Sequence, residues 1–152
     1  MFYKRSDHSM CFLNDRYLII TGSYLRDKKV CETVERYDIK KNFFEKMPSL
    51  KAGRCQHSSC SFDGQYVFVM CGLILVTTEI KEFSEEDNMT IIRERTVWTL
   101  TNSIERLDTS KKTNEWIMFD IPNSPVIPRR TPGVVQINAN EILIFGGKAQ
   151  GK

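Results

Sequence analysis

The feature that most constrains this chain is an order of residues that recurs three times. Each copy has an arginine, an apolar strand, a short polar turn, a second apolar strand and then a glycine. Arg5 leads to Tyr17-Leu-Ile-Ile-Thr-Gly22, Arg54 to Tyr66-Val-Phe-Val-Met-Cys-Gly72, and Arg130 to Ile142-Leu-Ile-Phe-Gly-Gly147. The interval from arginine to glycine is 17, 18 and 17 residues. Histidine stands three residues after the arginine twice, as His8 and His57, and Gly133 takes that place in the third copy. Past the glycine, Val34-Glu-Arg-Tyr-Asp38 matches Ile104-Glu-Arg-Leu-Asp108. An aromatic follows, Phe44 or Trp116, and then Met47-Pro48 or Ile121-Pro122.

Arg5 and Arg54 are 49 residues apart, and Arg54 and Arg130 are 76 apart. A period near 50 with short strands between turns predicts four-stranded antiparallel blades. In the first copy strands are expected near 8–13, 16–21, 32–37 and 42–46, and in the second near 57–62, 65–71, 103–108 and 115–119. Asp63-Gly64 is a strong two-residue hairpin turn because both positions tolerate positive φ, and Asn14-Asp15 is a weaker one. Leu18-Ile-Ile20 and Val67-Phe-Val69 are apolar on both faces, as strands covered on both sides must be. The fold class that follows is all-β: a β-propeller, present as a partial ring of two complete blades and half of a third. The units run over about 5–53, 54–129 and 130–152, with an insertion at 73–102 in the second.

Composition narrows the function classes. The 152 residues are 41% hydrophobic, enough for a folded core. Twenty-two basic against 19 acidic residues leave a net charge of +3, too small and too evenly spread for a nucleic-acid surface. No apolar run has the length of a membrane span; the longest, Val67 to Val76, is broken by Gly72. No apolar stretch follows the basic pair Lys4-Arg5, so no secretory signal is expected. Five cysteines, an odd count, fit free thiols in a reducing compartment. The expected location is intracellular, cytoplasmic or cytoskeletal, and the sequon Asn88-Met-Thr90 reads as a chance match.

The repeated residues resemble the kelch motif. Phe44-Glu-Lys-Met-Pro-Ser-Leu-Lys-Ala-Gly-Arg54 is similar to the tail of that motif, with phenylalanine for tryptophan, and Trp116 stands in the motif's tryptophan place in the second unit. Only the third unit keeps the glycine pair, Gly146-Gly147; Thr21-Gly22 and Cys71-Gly72 stand in the others. The resemblance implies structural roles for Arg5, His8, Gly22, Tyr37, Phe44, Arg54, His57, Gly72, Trp116, Arg130, Gly146 and Gly147. The retained glycine permits positive φ, the aromatics bury area between blades, and each arginine hydrogen-bonds junction carbonyls. It also implies a ring of more blades than this chain supplies, so the remaining blades come from a longer chain or from another polypeptide.

The insertion falls in a loop between the second and third strands, on the face that carries the connections between blades. Its pattern predicts an extended hairpin: Leu73 to Phe83 outward, Ser84 to Asn88 at the tip, Met89 to Leu100 back. Phe83, Ile91, Ile92 and Trp98 are its candidate partner-binding residues, or they pack on the chain's own blades. Glu85-Glu-Asp87 reads as a solvated tip, and Ser84 before it resembles an acidophilic kinase site.

Catalytic and metal chemistry have poor candidates. Cys55-Gln-His57-Ser-Ser-Cys60 lacks a fourth ligand at a matching spacing, and its strand alternation points Cys60 away from Cys55 and His57. Cys71 reads as a small core residue. Gly146-Gly-Lys148 lacks the spacing and the following hydroxyl of a phosphate loop. No cofactor, metal site or catalytic residue is expected. The expected function is that of a non-catalytic protein–protein interaction scaffold, a structural or docking subunit of a larger assembly, with no nucleic acid and no membrane insertion. A substrate-recognition adaptor of a ubiquitin ligase and a fragment of a galactose-oxidase-like enzyme are the alternatives.

Overall fold

The computed structural model describes residues 1–25, 29–84, 89–111, 115–119 and 126–149, with the side chains of 82–84, 89 and 91 left aside. Asn14 and Asp15 both take positive φ, at 55° and 50°, so the chain reverses in two residues. The reversal joins β1 (Ser9–Leu13) to β2 (Tyr17–Tyr24); β3 (Val30–Asp38) and β4 (Phe43–Met47) complete an antiparallel sheet in chain order. Asp63 and Gly64, at 51° and 62°, make the same reversal between β5 (Ser58–Phe62) and β6 (Tyr66–Met70). The chain then runs out and back as β7 (Leu73–Ser84) and β8 (Met89–Leu100), paired over their full length from Leu73–Leu100 to Ser84–Met89. It returns as β9 (Ile104–Asp108) and β10 (Trp116–Phe119), which extend the second sheet in the order β5-β6-β9-β10. Last come β11 (Arg129–Arg130), the hairpin β12 (Gly133–Asn138) and β13 (Glu141–Phe145), and β14 (Lys148–Ala149), which pairs with β11. Every regular element among the described residues is a strand, and none is a helix long and apolar enough to cross a membrane.

The strands fall where the alternation places them, with one physical exception. β2 runs three residues past the expected residue 21, because a bulge in β3, where Glu32 and Thr33 stand against Gly22, lets Ser23 and Tyr24 go on pairing with Cys31 and Val30. The expected hairpin over the insertion is present as β7–β8. The acidic tip Glu85 to Asp87, and Ile121-Pro122, lie outside the described residues.

The core lies between sheets. Cys11, Leu13, Ile19, Val34 and Leu50 from the first sheet and its exit pack with Val67, Val69, Leu107 and Trp116 of the second. Trp116 is the largest buried side chain, and its indole N–H donates to the Pro48 carbonyl at 2.9 Å. The other face of the second sheet packs Cys60, Phe68, Met70 and Cys71 against Val134, Ile142 and Ile144 of the last hairpin. Alternate residues of β6 therefore serve two cores, which is why Val67 to Met70 is apolar without interruption. Each fully buried aliphatic chain stabilises by about 1.5–3 kcal/mol, so these two interfaces supply most of the driving force. At the ends of the stack, Met10 and Phe12 on β1 and Val135, Leu143 and Phe145 on the last hairpin stay exposed.

The three first hairpins share one register: Ser9 faces Thr21, Ser58 faces Met70, and Gly133 faces Phe145. That register makes Gly22, Cys71 and Gly146 equivalent, and all three sit at nearly one φ, 59°, 64° and 63°. It also corrects the third copy by one residue. The arginine equivalent to Arg5 and Arg54 is Arg129, not Arg130, and the place of His8 and His57 belongs to Pro132, not Gly133. Anchoring on the second glycine of the pair displaces the alignment; anchoring on the left-handed residue restores a constant interval.

A methyl group at Gly22 would lie 2.4 Å from the Arg54 carbonyl oxygen, whereas one at Gly146 would meet nothing within 4 Å. Gly22→Ala is predicted to destabilise the fold by more than about 2 kcal/mol, and Gly146→Ala by only the left-handed strain of about 1 kcal/mol. Urea unfolding of the two variants measures the difference.

Candidate functional site

Arg5 and Arg54 enter the interior because each finds a full set of acceptors there. Arg54 is fully buried and donates from Nη2 to Glu105 Oε1 at 2.6 Å and to Ser103 Oγ at 3.1 Å. Its Nη1 donates to the carbonyls of Cys71 and Ser103, at 3.1 and 3.3 Å, and its Nε to that of Ala52. Arg5 repeats the pattern, with Nε on Glu35 Oε2 at 2.8 Å, Nη1 on the carbonyls of Gly22 and Thr33, and Nη2 on Thr33 Oγ1. Each carboxylate also accepts the backbone N–H three residues before its arginine: Phe2 donates to Glu35, and Lys51 to Glu105 at 2.6 Å. The pair thus ties a connecting segment to the third strand of the sheet it enters. Burial pulls the Arg54 pKa down, and the Glu105 carboxylate opposes that shift.

His57 serves the joint between the first two sheets. Its Nε2 lies 2.8 Å from Thr21 Oγ1, and its Nδ1 has no hydrogen-bond partner. A proton on Nε2, donated to Thr21, leaves Nδ1 a bare acceptor, which costs less than an unpaired N–H. A second proton would sit on Nδ1 without an acceptor. Burial, reinforced by the Arg54 charge, lowers the His57 pKa to about 3. All five cysteines are free and buried. Burial pushes the Cys11 thiol up to about 12 and those of Cys55 and Cys60 up to about 11. Among the described residues no cluster of three His, Cys, Asp or Glu side chains is placed to hold a metal ion.

The surface site forms where the β7–β8 hairpin leaves the second sheet. Cys71 and Gly72 take φ of 64° and 97°, which turns β6 outward, and Leu73 then exchanges two backbone hydrogen bonds with Cys55. This root places Trp98 beside Tyr24 of the first sheet, ring centroids 5.8 Å apart and tilted by 36°. The two rings line a cleft of about 530 Å³ with Asp7, Gln56, Leu73 and Arg130. Arg130 donates to Gln56 Oε1 at 3.2 Å, so the residue displaced from the buried arginine place faces this cleft. Trp98 keeps 39% of its surface exposed, and Ile92, farther along the arm, keeps 59%. The side chains of Phe83 and Ile91 lie outside those described. Tyr37 and Phe44 stack at 4.6 Å on the outer strands of the first sheet, away from the cleft.

Tyr24, Asp7 and Gln56 were not among the expected site residues. Asp7 and Gln56 are equivalent, each one residue before a repeat histidine and each at positive φ, 53° and 51°. That shared strain is not visible in their unlike side chains.

Neither a family model nor a curated protein matches this chain. The solved structure of YjhT is similar, with a TM-score of 0.64 at 16% identity over 96% of this chain and 46% of that one. The chain thus spans about half the length of the structure it matches, and the likeness concerns the fold alone.

The depressed His57 pKa carries a sign. The unfolded state takes up a proton near the ordinary value of 6.5 that the folded state refuses down to about 3. Stability from this group is complete above pH 6.5 and falls as pH drops through that window. Acidification from pH 7 to pH 5 is predicted to cost on the order of 2 kcal/mol through His57 alone. His57→Gln lacks that titration, so urea unfolding at the two pH values shows a correspondingly smaller loss for the variant.

Proposed function

We propose that this chain is part of a kelch-type β-propeller, two complete blades and half of a third, and that it acts as a non-catalytic scaffold for protein–protein interaction. The propeller reading draws support from the three hairpins in one register and from the placement of their first strands. Strand β1 lies beside β5 and β5 beside β12, and the hydroxyls of Ser9 and Ser59 meet at 2.8 Å across the first of these junctions. Sheets covered on both faces, as the second is, are the arrangement of neighbouring blades. The buried groups fit a non-catalytic role: the Cys11, Cys55 and Cys60 thiols are held protonated and His57 neutral at physiological pH.

The observation that carries the interaction role is the half-exposed Trp98 stacked on Tyr24 at the root of a long projecting hairpin. An aromatic pair held by the fold loses little side-chain freedom on binding, which is what an interface anchor requires. Arg130 and Asp7 give the same cleft a charge of each sign for orienting a protein partner. The hairpin beyond it adds reach, as befits a docking subunit of a larger assembly.

Three tagged forms test this in native cells: the intact chain, Trp98→Ala, and a chain with residues 76–97 replaced by Asn-Gly. Quantitative mass spectrometry of the captured material is expected to show a stoichiometric protein partner for the intact chain only. With that partner purified, Trp98→Ala is expected to weaken binding at least about tenfold. Equal recovery by all three forms would remove the hairpin and its root from the interface, and no partner for any form would count against the scaffold.

A further inference from the structure

The outward arm of the β7–β8 hairpin carries a free strand edge and an unresolved charge conflict. At the root, Leu73 exchanges two backbone hydrogen bonds with Cys55, so its N–H and C=O point away from β8. Backbone groups alternate along a strand, and the β7–β8 register is unbroken. Leu75, Thr77, Glu79 and Lys81 therefore present theirs on that same edge. Among the described residues no strand pairs there, although all four strands of the second sheet are in place beside it. On the same arm Glu79 stands directly opposite Glu94, both exposed, and like charges so placed are destabilising. Among the described residues neither carboxylate is in an ion pair, and neither is Lys81. Glu79 and Lys81 project from one face of the hairpin and Ile80 from the other.

We propose that two copies of this chain associate through the β7 edge, antiparallel and about a two-fold axis at Ile80. Such an axis makes the contact self-complementary, each copy offering the other the same residues. With Ile80 at the axis, Glu79 of each copy faces Lys81 of the other, and Ile80 faces Ile80. The two hairpins become one four-stranded sheet in the order β8-β7-β7-β8. Each Glu79 then has a lysine on one side to answer the Glu94 on the other. Neighbouring registers lose this match: an axis at Glu79 sets glutamate on glutamate, and one at Lys81 sets lysine on lysine. On the β8 edge no self-pairing achieves it, because Glu94 projects from one face and Arg93 and Arg95 from the other. Charge therefore selects both the edge and the register, while backbone pairing supplies the affinity. The contact uses the outer part of β7 and leaves Trp98, near the root of β8, to the cleft. It does not rest on the docking role proposed above.

Sedimentation equilibrium of the full chain, of Glu79→Lys and of Lys81→Glu tests this. The unaltered chain is expected to follow a monomer–dimer equilibrium. Each single reversal puts two like-charge pairs into the dimer and is expected to raise its dissociation constant at least about tenfold. Mixed in equal amounts, the two variants regain both opposite-charge pairs as a heterodimer, and the mixture is expected to associate as the unaltered chain does. Glu79→Lys also answers Glu94 within its own hairpin, so its weaker association is not a loss of the arm. Trp98→Ala is expected to leave the dissociation constant unchanged, which keeps this contact distinct from the cleft. A chain that stays monomeric up to about 1 mM would overturn the proposal. So would self-association that the reversals leave unchanged, or a mixture that associates no better than its components.

Discussion

A guanidinium cut off from water and closed onto a carboxylate is the interaction on which the rest of this structure depends. Arg54 and Glu105 both have fully buried side chains, as do Arg5 and Glu35. Taking two such charges out of water costs several kcal/mol each, and Coulomb attraction offsets that only when the remaining donors and acceptors are also met. Here they are. The guanidinium of Arg54 spends its N–H groups on three carbonyls, a hydroxyl and the carboxylate, and Glu105 takes two further backbone N–H groups from Lys51 and Ala52. Such a network gains less in net stability than in uniqueness, because any shift of register leaves a buried charge unmatched.

The consequences run outward from that clamp. It holds the segment that enters the second sheet, and Cys55, the next residue, exchanges hydrogen bonds with Leu73 at the start of the long hairpin. Thr101 closes the return by donating to the Gly72 carbonyl at 3.0 Å. The hairpin root is therefore fixed to the same joint that Arg54 organises. Trp98 reaches Tyr24 because the two sheets are locked beside one another by the shared core around Trp116. The proposed docking surface inherits its geometry from the buried clamp through Cys55, which itself lines the cleft.

Much of this was readable in the chain, and the parts that were not have physical reasons. Period-two alternation and the Asn14-Asp15 and Asp63-Gly64 turns placed the strands, since both are local. The hairpin over 73–100 was legible from its strand formers. The recurrence of Val34-Glu-Arg-Tyr-Asp38 as Ile104-Glu-Arg-Leu-Asp108 already carried the carboxylates that the arginines need, but nothing local says that a strand glutamate turns inward. Arg129 and Arg130 are adjacent and chemically alike, so only the hydrogen-bond register distinguishes the buried place from the cleft. The meeting of Trp98 and Tyr24 depends on how two sheets lie together, which no residue pattern encodes.

The most direct measurement is a double-mutant cycle on Arg54 and Glu105, with Arg54→Met, Glu105→Gln and the combined variant unfolded in urea. If the pair organises the joint, each single change strands a buried partner and the coupling energy is about 2–3 kcal/mol. A coupling below about 0.5 kcal/mol would mean that each residue acts without the other, and the clamp would lose its place at the centre of the fold.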